Sequence, residues 1–220
     1  MKQGSNLPDL VPQDDEYLRF ALEDSDAGAV YQFLTDAVVP RPIAWVTTRD
    51  PGGVVNLAPF SCFTFLTYDP PRVGMSIGSR DGHDKDTLRN LRARPELVVN
   101  IPSVDEAVLV AGSAEPFPPG VSEAEALGIR LTGSEQVDVP RIAGIGVALE
   151  CRVDRLVDLD DAQRHCFVIA RIVSASVRRA ISTPAGIDSA AWKPLARLGR
   201  GQFADTGAPF RPERHAKDNP

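Results

Sequence analysis

Cysteine and histidine are both scarce in this chain, and their scarcity removes two classes of protein. The three cysteines, Cys62, Cys151 and Cys166, form no Cys-x-x-Cys pair, and only three histidines accompany them. An odd, scattered set gives no disulfide framework and too few clustered donors for a structural zinc site. Each cysteine lies in an apolar, strand-like run where a free thiol behaves as a small hydrophobe. Cys62 is set apart by its place beside an Ala-Pro corner, where it can lie near a ligand. No stretch is long and apolar enough to span a bilayer. The first residues, Met1 to Asn6, lead into acidic positions instead of an apolar signal core, so the expectation is a cytoplasmic protein without a membrane partner. A basic stripe is also missing. With 24 Lys and Arg against 30 Asp and Glu, the formal net charge is -6, which argues against a nucleic-acid partner. There is no internal repeat and no P-loop. Gly144-x-Gly146 and Gly199-x-Gly201 are not embedded in βαβ units, so neither is a dinucleotide fingerprint.

What remains is an ordinary globular composition, 43% hydrophobic and 25% charged over 220 residues, enough for one substantial core. Residues 1–20 have no periodicity and read as a loose arm, residues 21–203 as the domain, and 204–220 as a Pro- and charge-rich tail. Ser25 or Asp26 caps a helix that buries Val30, Phe33, Leu34 and Ala37 on one face. Pro40 and Pro42 end it. Ile43 to Thr48 is a strand, and Asp50-Pro51-Gly52-Gly53 turns it into Val54 to Leu57. Phe63 to Tyr68 and Arg72 to Ile77 continue the sheet across Asp69-Pro70-Pro71. A helix from Asp84 and a strand at Leu97 to Ile101 follow. Glu106 to Ala111 reads as helical, and Ser122-x-x-Glu125 as a capping box. Val147 to Leu159 and Gln163 to Val177 are long strands joined at Asp160-Asp161, followed by a small-residue loop from Ala180 to Ala191. The pattern is a β-rich, mostly antiparallel barrel with short helices. The mixed apolar and basic segment from Trp192 to Phe203 reads as the cover of a neighbouring subunit.

Four clusters from Pro40 to Asn90 stand out: Pro40-Arg41-Pro42-Ile43-Ala44, Asn56-Leu57-Ala58-Pro59-Phe60-Ser61, Asp69-Pro70-Pro71 and Lys85-Asp86-Thr87-Leu88-Arg89-Asn90. Proline deletes an N–H donor, so a strand ending in Ala-Pro forms a rigid corner that can aim neighbouring groups into a cleft. Gly78 and Gly82 allow backbone amides to face a concavity. Lys85 adds a charge, Thr87 a hydroxyl, and the helix start its unpaired N–H groups. Together they suit a phosphate-bearing ligand. A plain surface loop with a capped helix is the competing interpretation.

These clusters, in this order, resemble the flavin reductase-like family of FMN-binding proteins. The resemblance extends to Phe117-Pro118-Pro119-Gly120-Val121-Ser122 and Pro194-Leu195-Ala196-Arg197-Leu198-Gly199 and runs from about Val30 to about Phe203. It implies a Greek-key split β-barrel and a homodimer with noncovalent FMN near the subunit interface. Carried over by position, Arg41 and Pro42 lead into the strand beside the cofactor, and Thr47 lies on it. Asn56, Leu57, Ala58, Pro59, Ser61, Cys62 and Phe63 belong to the stretch that wraps the isoalloxazine. Ser76, Ile77 and Gly78 flank the ribityl chain, and Lys85 and Thr87 meet the phosphate. For Phe60 ordinary core packing is preferred.

Related reductases often carry a histidine on a late strand where nicotinamide stacks on the flavin, and His165 matches that position. The chain has Gln163-Arg164-His165 in place of Gly-Asp-His, and Ala170 where many relatives have glycine. His165 would share a strand face with Phe167 and Ile169, so a core histidine is the alternative. The implied function is hydride transfer from NADH or NADPH to flavin. Electrons would then pass to free flavin, oxygen or a partner monooxygenase. An FMN-bound electron-transfer protein without a pyridine-nucleotide site is the second hypothesis, and a related barrel with another cofactor or none is the third.

Overall fold

The alternation that begins at Ala44 places successive side chains in two different cores. On β1 (Ala44–Arg49), Ala44 and Val46 enter one buried cluster while Trp45 enters another. β2 (Val55–Phe60) pairs antiparallel with β1 across the Asp50–Gly53 turn. β3 (Phe63–Tyr68) and β4 (Pro71–Gly78) form the next hairpin. β5 (Glu96–Ile101), β6 (Val147–Asp158) and β7 (His165–Val177) complete one seven-stranded sheet in the order β2-β1-β5-β6-β7-β4-β3. This computed structural model describes residues 10–12, 17–80, 82–118, 120–160 and 165–212.

The first core lies inside the curled sheet. Met75, Ile77, Leu97, Val99, Cys151, Cys166 and Val168 meet Leu88 and Leu91 of α2 (Asp86–Ala93) there. The second lies on the outer face of β1 and β5, where Trp45, Leu57 and Val98 meet Val110 of α3 (Ala107–Gly112) and Ala124 of α4 (Glu123–Ala126). Polar anchors hold the covering loop. The buried Glu150 carboxylate accepts the N–H groups of Glu135 and Gln136 at 3.0 and 2.6 Å. Asn100 donates to the Trp45 carbonyl and accepts the Ile142 N–H, both at 2.9 Å.

Several expectations change. Asp26 does cap α1 (Ala27–Ala37), its carboxylate accepting the Gly28 N–H at 2.9 Å. The helix nevertheless buries no residue fully: Val30 and Phe33 are half-buried, and Leu34 and Ala37 are exposed. The 3.6-residue pattern marks an apolar face without stating what covers it. The arm also carries order, since Leu10–Pro12 pairs with Leu18–Phe20. Ser122 starts α4 without a side-chain cap bond, whereas Ser103 and Glu106 make the reciprocal capping box. The loop from Ala180 to Ala191 contains a short hairpin, Ser182–Thr183 with Gly186–Ile187. The segment after Trp192 folds back on its own chain, Ala196–Arg197 pairing with Arg41–Pro42. Cys151 and Cys166 are buried as expected, and burial pushes the Cys151 thiol up to about 12. Cys62 is exposed, because the corner turns it away from both cores.

Gly74 on β4 tests the packing of the outer face. A β-carbon there would stand 2.5 Å from the Phe167 ring and 3.0 Å from Leu66. Gly74→Ala is expected to cost ~1–3 kcal/mol through overpacking, read as a lower urea midpoint. An unchanged midpoint would show that the ring swings clear without cost.

Candidate functional site: a groove along the open sheet edge

β2 is an end strand, so one row of its backbone donors faces away from β1. Residues two apart on a strand aim their N–H groups to the same side. On that side the Leu57 N–H donates to the Glu123 carboxylate at 2.8 Å, and two residues on Pro59 has no N–H to satisfy. A carboxylate and a proline therefore protect the edge without another strand. The backbone beside Ala58 and Pro59 stays accessible from a groove.

The groove has two cavities, which share Pro59, Phe60 and Ala114 as wall. One, of 330 Å³, also touches Asn56, Ala58, Arg80, Lys85 and Thr87. The other, of 250 Å³, touches Arg41, Ser61, Arg197 and Phe203.

At the larger cavity most charges already have partners. Asp86 pairs with Arg89, Asp84 pairs with Arg92 at 2.8 Å, and Glu123 holds the Leu57 amide. Among the described residues, the side chains of Lys85 and Arg80 form no ion pair or hydrogen bond. Burial, reinforced by the positive charge of Arg80, lowers the Lys85 pKa. Lys85 is also the N-cap of α2 and gives no side-chain cap, so the first-turn amides lack an acceptor from it. Gly82 sits beside this turn at φ +76°, a conformation suited to glycine. Asn56 reaches across from β2 and donates to the Thr87 hydroxyl at 2.9 Å. Two unneutralised cations, an uncapped helix start and a hydroxyl thus converge on one hollow, which fits a phosphate group.

At the smaller cavity Arg41 is buried and four of its five N–H donors are engaged. Its Nη1 donates to the Thr35 carbonyl at 2.7 Å and to that of Val38, its Nη2 to Leu198 at 3.1 Å, and its Nε to the Ser61 hydroxyl at 3.4 Å. One guanidinium thereby fastens the end of α1, the returning C-terminal segment and the β2–β3 corner.

The structure brings Arg41, Asn56, Ala58, Pro59, Ser61, Lys85 and Thr87 to the groove and leaves the other candidates off its walls. Pro42 is exposed opposite Ala196. Thr47 is fully buried, donating to the Pro140 carbonyl at 2.7 Å. Leu57 and Ile77 are core side chains, as is Phe60, which also reaches the groove wall. Phe63 packs half-buried against the inner core. The Cys62 carbonyl accepts the Ser76 N–H at 2.9 Å, and Gly78 lies opposite His165 in the β4–β7 ladder. His165 is 58% exposed, lies 3.3 Å from Asp160, and lines neither cavity. Its strand alternates outward, with Cys166, Val168 and Ala170 facing the core, so the core-histidine alternative is corrected. Sequence reasoning missed Arg80 and Glu123. Arg80 stands between the flagged Gly78 and Gly82, and Glu123 lies inside the presumed capping box.

A family model described as "Flavin reductase like domain" matches residues 36–195, and the chain belongs to this family. An uncharacterised protein of Halalkalibacterium halodurans is 38% identical over 188 residues, covering 84% of this chain and 90% of that one. Among solved structures, nitrilotriacetate monooxygenase component B from Bacillus cereus superposes with a TM-score of 0.86 at 28% identity, covering 90% of this chain and 100% of that one. The 2-nitrobenzoate 2-nitroreductase of Pseudomonas fluorescens gives 0.82 at 29% identity, with coverages of 92% and 98%. The fold is a split barrel, mainly β with short helices.

Burial raises the Glu123 pKa above its ordinary 4.5, and the Leu57 amide offsets only part of the shift. The native state then holds this proton more readily than the unfolded chain. The stability it confers is complete below about pH 4.5 and is lost as pH rises through the native value. In urea melts from about pH 4 to about pH 7, wild type should lose stability relative to Glu123→Gln. A difference independent of pH would mean that the native carboxyl is not desolvated.

Proposed function

We propose that the larger cavity of the groove, with the Ala58–Pro59 wall, binds FMN and that the chain is an NAD(P)H-dependent flavin oxidoreductase. The observation that carries this is the pair of unneutralised cations, Lys85 and Arg80, at the uncapped start of α2 beside the Ala58–Pro59 wall. Lys85, Arg80 and Thr87 would hold the phosphate, with Asn56 orienting the Thr87 hydroxyl. Ala58 is small enough to let a flat ring approach the backbone of β2. FMN, when bound, supplies the hydride-accepting centre. The protein's part is binding, orientation and exclusion of water along the groove. Family membership supports the flavin, and the two similar solved proteins carry the names of a monooxygenase component and a nitroreductase. Those names differ in their electron acceptor, so the acceptor of this chain is open to a monooxygenase, free flavin, oxygen or a small organic molecule.

The exposure of His165, outside both cavities, favours a second reading: an FMN-bound electron-transfer protein without a pyridine-nucleotide site. Stopped-flow mixing of the flavin-loaded protein with NADH and with NADPH separates the two. Rapid bleaching of the flavin band belongs to the reductase alone.

Losing a charge-assisted phosphate contact should cost ~1.5–3 kcal/mol, so Lys85→Ala should weaken FMN about ten- to a hundred-fold. Thr87→Ala should cost less, because it removes a neutral donor. Fluorescence titration reads both, and wild-type affinity in Lys85→Ala would remove Lys85 from the site.

The same reading includes a symmetric homodimer. Phe65 and Tyr68 on β3, an end strand of the sheet, are 74% and 90% exposed, and Leu34, Val38 and Val39 are bared at the end of α1. Apolar groups on an unpaired edge are a liability unless a partner covers them. Sedimentation velocity at micromolar concentration should give a dimer, and Phe65→Glu should shift it toward monomer. A wild-type monomer refutes the assembly.

A further inference from the structure

The smaller cavity holds a second arrangement of charge that the flavin reading does not use. Phe203–Ala204, Ala196–Arg197 and Arg41–Pro42 form a three-stranded antiparallel ribbon. Its register sets Arg41 directly opposite Arg197, and Arg197 directly opposite Phe203. All three line the 250 Å³ cavity. Like charges facing each other across a ladder repel, so such a pair is destabilising unless a counter-charge lies between or beside it.

Among the described residues no carboxylate performs that task. Arg41 is held by carbonyls and the Ser61 hydroxyl, which engage four of its donors without cancelling its charge. Arg197 lies with its guanidinium 4.7 Å from the centre of the Phe203 ring, and among the described residues its side chain has no ion pair or hydrogen bond. The acid at the rim, Asp36, is already taken. It accepts from Arg200 at 3.1 Å and from Gln32 at 2.9 Å, and a β-carbon at Gly199 would collide with its carboxyl group. What remains is a wall with two uncancelled positive charges. One of them is an Arg fork that lies over an aromatic face and, among the described residues, has no partner for its N–H donors. Ile43, Phe60 and Val110 supply apolar lining.

We infer that this cavity binds the oxyanion, carboxylate or phosphate, of a planar second reactant, with Arg197 as the residue that recognises it. The volume accommodates one small ring and its anionic group, not a whole dinucleotide. The inference rests on the flavin reading for the reactant's role, since the two cavities share the Pro59–Phe60 wall. Binding of the oxyanion itself does not require that reading.

The test is calorimetric titration of the full chain, as purified and after FMN loading, with three probes. Benzoate carries a carboxylate on a ring, nicotinamide mononucleotide carries a phosphate, and benzamide has the ring without the charge. Benzoate or the mononucleotide should bind at least about tenfold tighter than benzamide, and which one does so identifies the source of the oxyanion. Arg197→Gln should lose about tenfold or more of that affinity with FMN affinity unchanged, and Arg197→Lys should fall between. Equal binding of all three probes, or unchanged binding in a folded Arg197→Gln, overturns the inference. So does loss of FMN affinity in that variant, which would make the cavity part of the flavin's own site. A wild type that binds benzoate but refuses FMN would sink the flavin reading and leave the oxyanion site standing.

Discussion

The two outer strands of the seven-stranded sheet, β2 and β3, are consecutive in sequence, and only Ser61 and Cys62 connect them. Ends of an open sheet that lie two residues apart cannot be far apart in space, so the sheet must curl until its edges approach. The edges meet at this corner without pairing, which leaves the barrel split. Proline at position 59 removes a donor that pairing would have required, and Glu123 occupies the Leu57 N–H that a further strand would have taken. The split is thus built into the corner. The groove exists because the sheet stops there.

Charge follows the same geometry. The chain is acidic overall, yet the groove retains cations while Asp84, Asp86 and Asp36 are committed to other arginines and Glu123 to the Leu57 amide. The lowered Lys85 pKa records what this arrangement costs the protein alone. A lysine whose native pKa lies below its unfolded value penalises the charged native form. That penalty is present at lower pH and fades as pH rises through the native value toward 10.5. An anion in the hollow would reverse the sign by favouring the ammonium form. Unpaired, partly buried cations are poor contributors to stability and good contributors to binding.

Legibility in the sequence depended on the range of each relation. The Pro59 corner, the Lys85–Thr87 helix start and the Asp50–Gly53 turn are set by a few neighbouring residues, and each lies where local reasoning put it. Asn56 meeting Thr87 follows once those two motifs flank one groove. Arg41 opposite Arg197 was not legible, because strand register at that distance leaves no local mark. The Arg41 bond to Leu198 spans 157 positions. Glu123 was hidden for another reason: a Ser followed by acidic residues reads as a helix cap whichever carboxylate turns inward. His165 shows the limit of parity. Period-two alternation grouped it with Phe167 and Ile169, but only the curl of the sheet decides that this face looks outward.

The exposed end strand also ties assembly to the site. β3 carries exposed Phe65 and Tyr68 on one side of the corner, and β2 carries the groove wall on the other. The hydrogen bond from the Ser76 N–H to the Cys62 carbonyl fastens the corner to β4, and Arg41 holds it through Ser61. Arg41 in turn grips the carbonyls at the end of α1, next to the bared Val38 and Val39. A partner that covers β3 and the end of α1 would therefore press on both supports of the corner at once. The positions of Pro59 and Ser61 would then depend on assembly without the partner touching the groove.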